Sequence, residues 1–257
     1  MLLQLATWAE VEAYLARSTG IVVPIGSTEQ HGPVGLIGTD SICPETIAHA
    51  FARAHGVLVA PTMTLGVAQF NLGFPGTISV RAKTLIAMVE DIVASLARHG
   101  FRRVYFLNGH GGNVAPLRAA FQDIYGGWSF DPAGTEAPIR CRLRSWWELP
   151  NVDRLRRDLY SAWEGMHVTP SEVAIAQHAY PDRIKRAAMT PPRQVSAGFL
   201  ADHGGDNHYD AATHRRDFPD GRIGSDPALA MPDHGRRLVE AATADLAVDF
   251  ARFVAEP

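Results

Sequence analysis

Three short stretches concentrate the side chains that bind metal ions and move protons. Residues 24–41 read PIGSTEQHGPVGLIGTDS and hold Glu29, His31 and Asp40 within twelve positions. Glu29 and His31 stand two apart, so extended backbone points both to one side, and Asp40 can return to them across the glycine-rich turn. Residues 108–113, NGHGGN, set His110 among glycines, which leave room for backbone to pass close to an ion or substrate. Residues 163–172, WEGMHVTPSE, place His167 and Glu172 five apart across a proline. Taken singly, each has a plainer reading. The first is a polar loop ending in an Asp-Ser helix cap, and the third is a helix start capped by Thr169 or Ser171 with Glu172 in its first turn. The second is a tight turn or a phosphate cradle, but Val114 stands where G-x-G-x-x-G needs its third glycine and no G-K-S/T occurs, which disfavours nucleotide binding. Together, Glu29, His31, Asp40, His110 and Glu172 form an oxygen and nitrogen set without sulfur, suited to Zn, Mn or Fe(II). A central carboxylate such as Asp40 could bridge two ions and so orient a water and polarise a carbonyl at once.

The elements around these stretches follow a strand–helix rhythm. A capping box at Thr7 and Glu10 opens an amphipathic helix ending near Gly20, and Ile21-Val22-Val23 reads as a buried strand directly before the first stretch. Asp40 or Ser41 is expected to cap a helix running to His55, with Pro44 in its first turn and Gly56 closing it. Residues 57–60 make a second strand, followed by an irregular piece rich in Gly, Phe and Asn. Apolar residues at helical spacing mark 82–99, with Gly100 as its stop. Residues 104–107 form a third strand, and NGHGGN follows it into a helix over 114–125. A fourth strand is expected at 139–143, a charged helix at 153–164, another from Thr169 or Ser171 to His178, and a final helix over 232–254. Strand, helix, strand, helix is the pattern of a parallel α/β sheet, and both of the first two polar stretches fall where such a sheet places ligands, beyond its strand ends.

Composition narrows the function classes. With 46% hydrophobic and 20% charged residues in 257, one domain over 1–257 is expected. A net charge of -3 leaves no basic footprint, so nucleic acid is not an expected partner. Two cysteines, Cys43 and Cys141, outside any C-x-x-C pair, suggest neither a disulfide framework nor a cysteine zinc site and fit a reducing cytoplasm. The first 18 residues lack a basic start and a long apolar core, so no signal peptide is read there, and no stretch reaches membrane-spanning length. Residues 201–226 are polar and glycine-rich and hold His203, His208 and His214 with Asp206 and Asp210. They read as a lid or as an edge reaching a neighbouring subunit, with Arg215, Arg216 and Arg222 either solvated or meeting an anionic substrate group. The pair Trp146-Trp147 reads as core or as pocket wall.

In combination, EQHGPVGLIGTDS, NGHGGN and H-x4-E resemble the creatininase family of metal-dependent amidohydrolases, from the first strand to about Glu172. The resemblance implies an α/β three-layer sandwich around a mainly parallel sheet, assembled as a homo-oligomer, a hexamer in the family. It implies that Glu29, His31, Asp40 and His110 are metal ligands with Asp40 as the bridge. It makes His167 the general base or acid, Glu172 a nearby acidic residue serving catalysis or metal, and Trp163 an aromatic beside the substrate, with Gly111 and Gly112 lining the substrate's place. One departure stands out: creatininase itself carries a tyrosine and a metal-binding glutamate where this chain has Gly111 and Gly112. Creatinine is therefore disfavoured as substrate, and the metal complement is one or two ions, depending on whether Glu172 or water replaces the lost ligand. The double glycine is similar to branches that include a formamide hydrolase and a peptide-processing enzyme. The expected activity is hydrolysis of a non-peptide C–N bond in a small molecule, a cyclic amide or formamide, by a hydroxide held on a divalent metal. The alternatives are a metal-dependent hydrolase or isomerase of a polyhydroxylated ring or lactone, and an inactive small-ligand sensor on the same fold.

Overall fold

The computed structural model describes residues 1–133, 136–204 and 208–256; Asp206 of the histidine-rich loop lies outside them. Four parallel strands form one sheet: β1 (Gly20–Ile25), β2 (Leu58–Val59), β3 (Arg103–Asn108) and β4 (Arg140–Ser145), in the spatial order β2-β1-β3-β4. Register is continuous, with Ile21 opposite Val104 and Val104 opposite Cys141. Because side chains alternate along a strand, the sheet feeds two apolar layers. Val22, Val59, Tyr105 and Leu107 face one, and Ile21, Val23, Val104 and Phe106 the other.

Helices cover both faces and complete the expected three layers. On the first face lie α2 (Thr39–His55), α5 (Pro150–Tyr160), α6 (Pro170–Ala179) and α9 (Pro232–Ala255), with Ile47, Phe51, Leu238 and Leu246 in the core. On the second lie α1 (Trp8–Leu15), α3 (Ala82–Arg98) and α4 (Val114–Ser129), which bury Tyr14, Leu85, Val89, Val93 and Leu117. Thr7 and Glu10 form the capping box that the sequence predicts for α1. Two short helices, α7 (Ala197–His203) and α8 (Ala211–Asp217), complete the set. Among the described residues no helix is long and apolar enough to cross a membrane.

Three local expectations are corrected. Asp40 and Ser41 do not cap α2: the N-cap is Gly38, without a side-chain hydrogen bond, and Asp40 sits inside the first turn with its carboxylate turned to the histidines. Pro44 accordingly falls inside the helix, beyond its first turn. The charged helix placed at 153–164 starts earlier, at Pro150, and yields to a 3-10 turn over Ser161–Trp163. The polar 201–226 loop is partly helical and partly buried. Asp210 caps α8, and Arg222, Ile223 and Ser225 are all under one-tenth exposed. Polarity disguised that burial, although Arg222 bonds to Asp220 and Thr190 and the Ser225 hydroxyl to the His167 carbonyl inside the protein.

Candidate metal centre

The carboxyl ends of β1 and β3, neighbours in the sheet, carry the site, at the point where strand order reverses and ligands are commonly held. Between these ends α2 begins. A Cβ at Gly26 or at Gly109 would collide with the backbone carbonyl of Asp40, so the two glycines let α2 start against the strand ends. Asp40 is thereby inserted between His31 and His110. His31 Nε2 lies 3.0 Å from Asp40 Oδ1, and His110 Nδ1 lies 2.9 Å from Asp40 Oδ2. Glu29 Oε2 stands 3.4 Å from His110 Nδ1, and Glu172 Oε1 stands 3.7 Å from His31 Nε2. All five side chains are buried.

Each of these histidines uses its outer nitrogen on a backbone carbonyl. His31 Nδ1 lies 3.1 Å from the Glu29 carbonyl, and His110 Nε2 lies 2.9 Å from that of Val67. Since a carbonyl only accepts, these contacts place a hydrogen on the outer nitrogen and leave the inner one of a neutral ring bare. Two bare imidazole nitrogens then face three carboxylates in a buried space. This is a donor set that wants a cation, and the imidazole-to-carbonyl bond is the usual support of a metal-ligating histidine. Among the described residues, His31 Nε2 and Asp40 Oδ2 accordingly find no hydrogen-bond partner despite their close approaches. Two groups of potential ligands share Asp40: Glu29, Asp40 and His110, and His31, Asp40 and Glu172. A third joins Glu29, His31 and His167.

Protonation of the protein alone reflects the same shortage of positive charge. Burial opposes a charged His31, but Asp40, Glu172 and Glu29 overcome it and push its pKa up to about 10. Burial works against the Asp40 carboxylate as well, yet His31 and His110 hold it below the usual range. Burial dominates at Glu172 and pushes it up to about 7. His167 goes the other way: burial, then the charge of His31, lower it well below an ordinary histidine, so it is neutral near neutral pH.

The third stretch reaches the site through α6. Thr169 is its N-cap and Glu172 completes the capping box, accepting from the Thr169 backbone N–H at 2.5 Å, so the carboxylate is fixed by the helix start while facing His31. Between His167 and Thr169, buried Val168 adopts φ 57°, a conformation rare for a β-branched residue and maintained only where surroundings impose it. The imposing segment is 221–225: Ile223 bridges to His167, and the Ser225 hydroxyl donates to the His167 carbonyl at 2.6 Å. This part of the former loop clamps the backbone of His167.

A cavity of about 380 Å³ opens onto the cluster, lined by Asp40, His110, His167 and Glu172 and by Trp146, Trp147 and Arg156. Gly111 lines it. A Cβ at Gly112 would instead collide with the Val67 carbonyl and lie 2.6 Å from His110 Nε2, so this glycine protects the bond that orients His110. Trp163 is half-buried and does not belong to this cavity's lining; Gly165 and Met166 extend from the same turn into it. Trp146 satisfies both of its readings, packing in the core and touching the cavity. Arg222 is held by Asp220 and Thr190, Arg215 lies over the Phe74 ring, and Arg216 pairs with Asp217, so none of the three lines the cavity. Sequence reasoning passed over Gln30 and Asn71, both buried beside the cluster, although Gln30 lies within the EQHG run itself.

The chain is similar to known proteins over most of its length. Residues 4–249 match the family described as Creatininase: Creatinine amidohydrolase. The chain is 30% identical over 202 residues to a creatinine amidohydrolase of Pseudomonas putida, covering 72% of this chain and 75% of that protein. Over shorter spans it is 36% identical to a mycofactocin precursor peptide peptidase of Mycolicibacterium smegmatis, covering 39% of this chain and 42% of the relative. It is also 32% identical to a 3-dehydro-scyllo-inosose hydrolase of Thermotoga maritima, covering 42% of this chain and 35% of the relative. A solved structure described as a Mn creatininase superposes with a TM-score of 0.79 at 25% identity, covering 99% of each chain.

Proposed function

Because the chain belongs to the creatininase family, we propose that it is a divalent-metal amidohydrolase that cuts a non-peptide C–N bond of a small cyclic amide or formamide, working as one domain over residues 1–257. The observation that carries this reading is the pair of histidine and carboxylate groups sharing Asp40, open to a cavity of about 380 Å³. Glu29, Asp40 and His110 would hold one ion, and His31, Asp40 and Glu172 a second, with Mn or Zn suiting the donors. The metal, when bound, supplies Lewis-acid polarisation of the scissile carbonyl and activation of water.

The protein's own groups supply the proton inventory. His167 is neutral, buried and beside the cluster, so it can take a proton and pass it to the leaving nitrogen. In the metal-free protein burial raises Glu172 to about 7, so with a single ion on Glu29, Asp40 and His110 it would be the second group able to exchange a proton there, and with a second ion it would serve as ligand instead. Trp146 and Trp147 give the cavity aromatic walls, its volume of about 380 Å³ suits a small molecule, and Gly111 allows that molecule to approach the cluster. A second reading, hydrolysis of a polyhydroxylated ring, has the inosose hydrolase relative in its favour.

The test is a product assay on a panel of amides, formamides and ring ketones with metal-loaded protein. Release of ammonia, amine or formate supports the first reading, and ring opening without it supports the second. Asp40→Ala and His110→Ala are expected to lose metal and activity together; full activity in metal-free protein would overturn the scheme.

A further inference from the structure

Behind the cluster, two buried amides join Glu29 to His167. Asn71 Nδ2 donates to Glu29 Oε1 at 2.9 Å, and Asn71 Oδ1 accepts from Gln30 Nε2 at 2.8 Å. The Gln30 amide is fixed at its other atoms as well. Its Oε1 accepts from the Gly32 backbone at 2.8 Å, and its Nε2 also donates to the Gly221 carbonyl at 3.1 Å. A Cβ at Gly221, where φ is 83°, would collide with the Gln30 amide, so the clamp segment closes directly onto it.

His167 meets this assembly through Nε2, which lies 2.9 Å from Gln30 Nε2 and 3.0 Å from the Gln30 backbone carbonyl. A primary amide has two hydrogens. Those of Gln30 are taken by two acceptors that cannot donate in return, Asn71 Oδ1 and the Gly221 carbonyl. With those two hydrogens so placed, the 2.9 Å approach of Gln30 Nε2 to His167 Nε2 is a packing contact, and the Gln30 backbone carbonyl, which can only accept, takes the His167 Nε2 hydrogen at 3.0 Å. The bonds therefore run in one sense: His167 Nε2–H to the Gln30 carbonyl, Gln30 amide to Asn71, Asn71 amide to Glu29. Such a chain ends properly only on an ionised Glu29, and it leaves His167 Nδ1 bare, 3.7 Å from Glu29 Oε1.

The geometry points to Gln30 and Asn71 as positioning residues that lock His167 as the Nε2–H tautomer, with Nδ1 turned to the cluster as the atom that accepts the proton. The inference deepens the proposed role of His167 and rests on it for its catalytic consequence. The tautomer itself can be read without substrate. His167 then matches His31 and His110, each of which holds its outer nitrogen on a carbonyl and offers the inner one.

Long-range 1H–15N correlation spectra of the full-length, zinc-loaded protein, with His167 assigned by the His167→Gln variant, read the tautomer directly. The expected result is a protonated Nε2 and an unprotonated Nδ1. A protonated Nδ1 in the wild-type protein overturns the proposal without need of any further variant, and it leaves the amide-hydrolase reading untouched. Asn71→Leu frees a Gln30 hydrogen to donate to His167 Nε2. The two nitrogen shifts should then move towards each other, and at saturating zinc kcat should fall by about 10- to 100-fold with little change in KM. Unchanged nitrogen shifts in a folded Asn71→Leu variant would equally overturn it, whatever happens to kcat.

Discussion

Asp40 contributes more to the site than a single carboxylate ordinarily can, because each of its oxygens meets a different histidine, at 3.0 and 2.9 Å. His167 makes the contrasting case. It lies beside the cluster without belonging to either group that shares Asp40, so losing it should spare the metal. His167→Gln is expected to retain metal by elemental analysis while kcat falls by about 10²- to 10⁴-fold, the usual worth of a positioned proton carrier. Loss of metal along with activity would instead make it a ligand. Gly112 makes a prediction about room. Gly112→Ala should drive its methyl group into the Val67 carbonyl and His110 Nε2. Destabilisation by about 1–3 kcal/mol is expected from overpacking, seen as a lower thermal midpoint together with weaker metal binding. A variant with wild-type metal affinity would show that His110 does not depend on that bond.

At the scale of elements, much was legible in advance because periodicity and caps are local. The α3 stripe of Leu85, Val89, Val93 and Leu96 is buried as its spacing requires, and β1 and β3 are the apolar runs directly before their polar stretches. The five expected ligand positions come together at the ends of these elements. What escaped was whatever depended on distant partners. Asp40 looked like a cap because Asp and Ser favour that position locally; its actual partners are set by α2 passing between Gly26 and Gly109. Gln30 and Asn71 lie 41 residues apart, and no local pattern joins them. The 221–225 clamp reads in the sequence as part of a lid or a subunit edge because its composition is polar, yet it holds His167 in place. The buried histidines of that region carry their own prediction. Burial lowers His208 and His214 to about 4, below their value in the unfolded chain. The unfolded state therefore binds more protons between about 4 and 6.5, and stability complete above that window is lost as pH falls through it. Thermal midpoints should decline across this range, less steeply in His214→Gln than in wild type; parallel declines would assign the acid lability elsewhere.

At the scale of the whole molecule, one parallel sheet between two helical layers places the cluster at the strand ends, where successive loops converge. The same arrangement leaves Ile37, Leu72 and Ile78 exposed, at 41, 53 and 54%, and Gly76 brings Ile37 against the loop that bears the other two. An apolar patch of this kind favours self-association. We expect light scattering to give a mass several times that of the chain, and the charge substitution Leu72→Asp to lower it. A monomer at all concentrations would count against the homo-oligomer that the sequence leads one to expect.

Glu29, His31, Asp40, His110 and Glu172 are expected to hold metal together. Anomalous-difference maps from crystals grown with zinc, recorded above and below the zinc edge, examine this most directly. We expect density between Asp40 and one or both histidines, present in wild type and gone in Asp40→Ala. A map without a peak there, from protein that still hydrolyses its amide, would refute the account.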